Sequence, residues 1–163
     1  MKNNPILMEL LNQYYMELLN QYYAVWQECN YVYGEWAKAH GLSVNSLLVL
    51  SAIDEGGANC TQRKISQRWL IPKQTVNMVL KELQQKGFVE MVPVQEDKRN
   101  KQIRFTPAGS EYADGILSEL RKVELYAIGK MGIEQMKQMN DSMALFVSLF
   151  GKAGGKKDDE TTK

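Results

Sequence analysis

The run Glu96-Asp97-Lys98-Arg99-Asn100-Lys101 lies between two short stretches, 88–92 and 102–105, in which apolar and polar residues alternate. Period-two alternation is the signature of strands, so the run reads as a charged loop at the tip of a hairpin. Just upstream, Pro72 opens a stretch with Val76, Val79, Leu80 and Leu83 at i, i+3, i+4 and i+7, the spacing of one helical face. With those residues turned inward, the opposite face presents Gln74, Asn77, Met78, Lys81 and Gln85. Gln and Asn can make paired hydrogen bonds to adenine, and Met78 or Thr75 can touch a thymine methyl. Arg63, Lys64 and Lys73 have the chemistry for phosphates, which position a protein without reading sequence. Lys98, Arg99 and Lys101 make the hairpin tip basic. Arg99 is the residue suited to the negative potential of a narrow minor groove, with Asp97 shaping the loop rather than facing an anion. A basic hairpin tip beside a polar helix face is a geometry for duplex DNA.

Charge is distributed to match. The whole chain carries only +1, but residues 1–60 carry −4, residues 61–104 carry +6 and the remainder −1. One segment holds the positive field, as expected of a module that meets phosphates.

These residues need elements to place them. The first 40 or so residues read as one long helix over 5–41, with Asn4 as N-cap, Pro5 at the first helical position and Gly41 as the stop. Its length of roughly 50 Å exceeds what a domain of this size needs internally, and points to packing against a second copy. Within it the octet Met-Glu-Leu-Leu-Asn-Gln-Tyr-Tyr occurs at 8–15 and again at 16–23. Eight residues turn a helix by about 800°, so the copies face directions ~80° apart, a poor period for a solenoid or coiled coil. A recent local duplication or a cloning artefact that lengthens the helix accounts for it. A second helix begins near Ser43, capped by Ser43 or Ser46, with Leu47, Leu50 and Ile53 as its buried stripe, and ends at Gly56-Gly57. Thr61 caps a short helix over 62–69, Leu70-Ile71 make the turn, and Pro72 starts the next helix, which stops at Gly87. After the strands, Thr106-Pro107 opens a helix with Tyr112, Ile116, Leu120 and Val123 at helical spacing, broken by Gly129 and Gly132. A last helix runs over 133–150 with Met136, Met139, Met143, Phe146 and Phe150 on one side. Residues 151–163, rich in Gly, Lys, Asp, Glu and Thr, read as a disordered tail.

The fold class is thus mainly α (α+β). It is one domain over 1–163: a winged helix-turn-helix lobe at 43–106 flanked by terminal helices at 5–41 and 107–150. In order and spacing, residues 25–148 resemble the MarR family of bacterial transcription regulators. The resemblance is carried by Thr61-Gln62, by Pro72-Lys73-Gln74-Thr75-Val76, and by Leu83-Gln84-Gln85-Lys86-Gly87-Phe88-Val89. It is carried most strongly by Asp97-Lys98-Arg99 followed by Ile103-Arg104-Phe105-Thr106-Pro107-Ala108-Gly109, which looks like the family's Asp-x-Arg wing and Leu-Thr-x-x-Gly exit, with Phe105 in place of Leu. The duplicated octet is not a family feature.

The resemblance implies a homodimer joined by its first and last helices, bound to a pseudo-palindromic operator with half-sites about one turn apart. It also implies a repressor released by a small aromatic or anionic effector, held in a crevice between the dimerisation helices and the DNA-binding lobe. Trp26, Tyr33, Trp36 and Trp69 are the candidates to line that crevice. Some relatives sense oxidants through a cysteine near the start of the chain, which would make Cys29 a redox site; Cys60 is the other cysteine. A winged-helix protein-interaction module without DNA binding is the competing class, and the basic segment argues against it.

Other classes are not supported. With one histidine, no nucleophile–base pair, no Gly-rich phosphate loop and no Cys/His set at metal-ligand spacing, the expectation is no enzyme, no cofactor and no metal. The lone His40 before Gly41 suits the negative end of a helix dipole. No run of ~18 apolar residues and no signal-peptide pattern is present, so a cytoplasmic location without a membrane partner is expected.

Overall fold

The computed structural model describes residues 5–94 and 97–154, with the backbone alone described at Val94 and at 97–100. Asn4, expected to cap the first helix, and residues 155–163 of the expected tail lie outside the described residues. The chain divides into two compact units, one reaching to Ile116 and the other starting at Leu117.

The first unit begins with α1 (Pro5–Ala39), uninterrupted through both copies of the octet. The copies meet different surroundings: Leu11 and Tyr14 are exposed while their counterparts Leu19 and Tyr22 are half-buried. That is the consequence of the rotation by ~80° between them. The helix ends two residues before Gly41, whose φ of 70° makes the left-handed turn. His40 donates from Nδ1 to the Trp36 carbonyl at 2.8 Å and stacks on the Trp36 ring at 3.8 Å, so its place at the helix end is held by a hydrogen bond as well as by the dipole. Only Ala37 of α1 is buried.

The core is built by α2 (Val44–Gly56), α3 (Gln62–Trp69) and α4 (Lys73–Gln85). Ser43 is the cap of α2, accepting from the Ser46 amide at 3.0 Å. Leu47, Leu50, Ile65, Val76, Leu80 and Ile103 fill the interior, each no more than 2% exposed. The stripe expected on α4 is buried as spaced. Pro72, expected as the first helical residue, instead caps α4 with extended ψ of 137°. A 3-10 turn, Gly57–Asn59, separates α2 from α3. Leu70 between α3 and α4 stands in left-handed backbone, φ 53°.

The wing is an antiparallel pair, β1 (Val89–Val94) and β2 (Asp97–Phe105). Both strands are longer than the alternation suggests. The charged residues Asp97, Lys98, Arg99, Asn100 and Lys101 therefore belong to β2 rather than to a loop. Backbone pairing extends strands past the point where side-chain burial stops imposing alternation. The register slips between the pairs Pro93–Lys101 and Val94–Asp97, so Lys98, Arg99 and Asn100 fall in an irregular stretch at the distal end.

The strand returns into α5 (Pro107–Met131) through Thr106, whose hydroxyl accepts from the Gly109 amide at 3.0 Å and donates to the Gly87 carbonyl at 2.7 Å. The second unit holds the rest of α5 and α6 (Ile133–Ala153). Gly129 does not break α5. A single glycine costs a helix only about 1 kcal/mol, and the break falls at Gly132, where φ reaches 93°. Helix α6 extends through 151–153, which were expected to be disordered. Its Met139, Met143, Phe146 and Phe150 are exposed, while Met136 is half-buried.

Candidate nucleic-acid interface

Three elements converge at the candidate surface, and backbone bonds lock them together. Thr61 caps α3, accepting from the Lys64 amide at 3.3 Å, and bridges Gln102 of β2. The Ile103 amide donates to the Cys60 carbonyl at 2.9 Å. Gln62 donates from Nε2 to the Lys73 carbonyl at 2.9 Å, fixing the first residue of α4 against α3. The wing, α3 and the start of α4 are therefore one rigid corner.

In that corner lies a hollow of about 450 Å³, lined by Gln62, Arg63, Lys73, Asn77, Lys101, Leu80, Met91 and Ile103. Of the residues expected to meet DNA, it brings together Arg63, Lys73, Asn77 and Lys101. Lys101 shares a strand face with buried Ile103, which aims it toward the helices. Arg63, Lys73 and Lys101 are exposed, and none has an ion-pair partner among the described residues. Two basic residues nearby are ion-paired. Arg68 pairs with Glu55 at 3.0 Å, and Lys86 with Glu82 at 2.7 Å, a hydrogen bond that raises the Lys86 pKa. Exposed Lys64 and Lys81 also have no ion-pair partner among the described residues, so uncompensated positive charge covers the corner and the adjoining faces of α3 and α4.

On α4 itself, Gln74, Lys81, Gln85 and Met78 are exposed, Met78 at 65%, while Thr75 and Asn77 are half-buried. Asn77 is turned toward the hollow rather than fully outward. Lys64 is exposed on α3. Asp97, Lys98 and Arg99 are placed by backbone at the distal end of the wing, and their side chains lie outside the described residues. Sequence reasoning missed Gln62 and Met91. Gln62 follows a capping threonine and looks like a solvated first-turn residue; its role appears only once α4 is seen beside it. Met91 faces Ile103 across the strand pair.

The residues named for an effector crevice are spread out. Trp26, Tyr33 and Trp36 lie along α1, Trp26 at 52% and Tyr33 at 37% exposure, and Trp36 is stacked on His40. Trp69 ends α3 beneath the Arg68 guanidinium, 4.9 Å from its ring centre, and its buried indole N–H has no partner among the described residues. Of the two cysteines, Cys29 is exposed on α1 and Cys60 is buried. Burial pushes the Cys60 thiol up to about 11, against a smaller lowering by Lys64, and its Sγ donates to the Ala52 carbonyl at 3.6 Å. Among the described residues no group of three or more His, Cys, Asp or Glu can hold a metal ion, and no helix is long and apolar enough to cross a membrane.

Comparison with known proteins agrees with this arrangement. Residues 40–100 match the model of the MarR family. The HTH-type transcriptional regulator SarZ of Staphylococcus haemolyticus is 32% identical over 77 residues, covering 47% of this chain and 52% of the relative. SarZ of Staphylococcus epidermidis is 28% identical over 88 residues, 54% of this chain and 58% of that one. The chain spans about half the length of the curated relatives it matches. Among solved structures, the MarR family regulator NMB1585 of Neisseria meningitidis superposes with a TM-score of 0.75 at 22% identity, covering 85% of this chain and 97% of that one. Staphylococcus aureus MarR, solved with salicylate and kanamycin, gives 0.66 at 23% identity, covering 89% and 95%. The S. aureus MepR–DNA complex gives 0.66 at 17% identity, covering 80% and 96%. Motif order, family match and fold coincide on the same winged helix-turn-helix: residues 40–100 are similar to the MarR family, and the chain shares the fold of solved regulators of that family.

Proposed function

We propose that the protein is a homodimeric, sequence-specific DNA-binding transcriptional regulator of the cytoplasm, a repressor that a small aromatic or anionic molecule releases, and not an enzyme. The observation that carries the DNA reading is the corner just described: unpaired cations from three elements beside an exposed amide-bearing helix face. A cationic rim supplies sequence-blind affinity and Gln74 with Asn77 supplies base readout. MepR has been captured on DNA and S. aureus MarR with salicylate, which supports both the partner and the class of effector.

The dimer rests on apolar surface. On α1, Leu7, Leu11, Tyr14, Leu18 and Val25 fall within about 60° of one another around the helix, and all are exposed, between 39% and 68%. On α6, Met139, Met143, Phe146 and Phe150 are 41–71% exposed. Apolar stripes of this length are covered in a stable soluble protein, and two-fold pairing of terminal helices covers them at once. The oxidant-sensing alternative is disfavoured for Cys60, whose raised pKa keeps it a thiol at neutral pH.

The test is an anisotropy titration of the purified chain against its own upstream DNA and against random DNA. Preferential binding, falling steeply as salt rises, is the expected result. Equal binding to both DNAs at low salt would sink the sequence-specific reading.

A further inference from the structure

We propose that the hollow between α3, α4 and the wing is a single phosphate seat. Arg63, Lys73 and Lys101 converge there on one phosphodiester group of the DNA backbone, rather than each meeting a phosphate of its own. The inference rests on the DNA-binding reading and adds to it a defined stoichiometry of contact.

Three features of the hollow carry it. The three cations come from three different elements yet line one space of about 450 Å³, roomy enough for one phosphodiester and its flanking sugars. Holding like charges around one hollow is unfavourable unless an anion enters, and none of the three is ion-paired among the described residues. Leu80, Met91 and Ile103 line it beside the polar Gln62 and Asn77, so part of the wall is apolar and the field inside is less screened than at an open surface.

The seat is also pre-built. The Ile103–Cys60 and Gln62–Lys73 hydrogen bonds, with the Thr61–Gln102 bridge, hold its three sides in place before any ligand arrives. With the backbone that carries the three charges fixed in advance, binding has only their side chains left to order.

The experiment pairs each protein cation with each phosphate. Arg63→Ala, Lys73→Ala and Lys101→Ala are titrated against operator duplexes carrying one neutral methylphosphonate at a time. All three residues are exposed, so the variants keep the fold, which a thermal melt checks. Each variant weakens binding to unmodified operator about tenfold. All three penalties vanish at the same modified position in each half-site. Counterion release gives a second readout. The triple variant lowers the salt slope of the dimer by about two if one phosphate per half-site is served, and by about five if three are. Penalties that vanish at three different phosphates, or a slope change near five, overturn the seat and leave the DNA-binding reading standing. Failure of the wild type to bind any duplex overturns both.

Discussion

At the scale of single residues, exposure separates reading from holding. Gln74 is exposed and Asn77 half-buried at the hollow. Alanine at either position should cost roughly 1–3 kcal/mol on operator and little on scrambled DNA, because an amide pair reads a base edge. Equal losses on both DNAs would mean that α4 docks another way. Arg99→Ala, at the distal end of β2, should weaken operator binding without moving the melting temperature; a large drop in melting temperature would assign Arg99 a structural role. Cys60 makes a separate prediction. Its thiol is 1% exposed and its pKa is raised from 9.0 to about 11, so iodoacetamide at pH 8 should leave it unlabelled in the native protein and label it in guanidinium. Rapid native labelling of Cys60, read by mass spectrometry, would show that this part of the core opens.

At the scale of elements, the joint between wing and α5 is the most constrained. A Cβ at Gly109 would sit 1.8 Å from the Phe88 carbonyl oxygen, while the Thr106 amide already donates to that oxygen at 3.0 Å. The Phe88 ring stacks on Tyr112 one helical turn further on, 4.3 Å between centroids. This explains physically why a glycine follows the threonine here: the helix must start in contact with strand backbone. Gly109→Ala should therefore destabilise the fold by about 3 kcal/mol, the upper end of overpacking costs, seen as a lowered denaturation midpoint. An unchanged midpoint would mean that the helix start can shift away freely.

At the scale of the whole molecule, the exposed faces of α1 and α6 dominate. Light scattering on the intact chain should give twice the chain mass at micromolar concentration without DNA. Removing residues 133–163 should leave a monomer or an aggregate that has lost tight DNA binding, because half of the proposed interface goes with α6. Removing 1–23 should shorten the interface yet retain some dimer, since α1 continues to Ala39. A monomeric intact chain would remove both the dimer and the two-half-site operator built on it.

The sequence by itself determined the element order, the caps at Thr61 and Thr106, a cap at Ser43 or Ser46 between which the structure decided for Ser43, the buried stripe of α4 and the basic segment. Each depends on residues a few positions apart, through helical period, hydrogen-bonding side chains or simple charge count. It was less informative where the chain is held by pairing or tolerance rather than pattern. The strands run longer than their alternation, α5 passes through Gly129, and α6 continues past Phe150. The tertiary structure alone decided which cations meet. Arg63, Lys73 and Lys101 are separated by whole elements in the chain and share one hollow only because α3, α4 and β2 are bonded into a corner. It also decided which cations are withdrawn: the partners Glu55 and Arg68 lie on different helices, and no local rule pairs them. Local physics writes elements into neighbouring residues, but convergence of charge is a long-range property that exists only once the core has placed the elements.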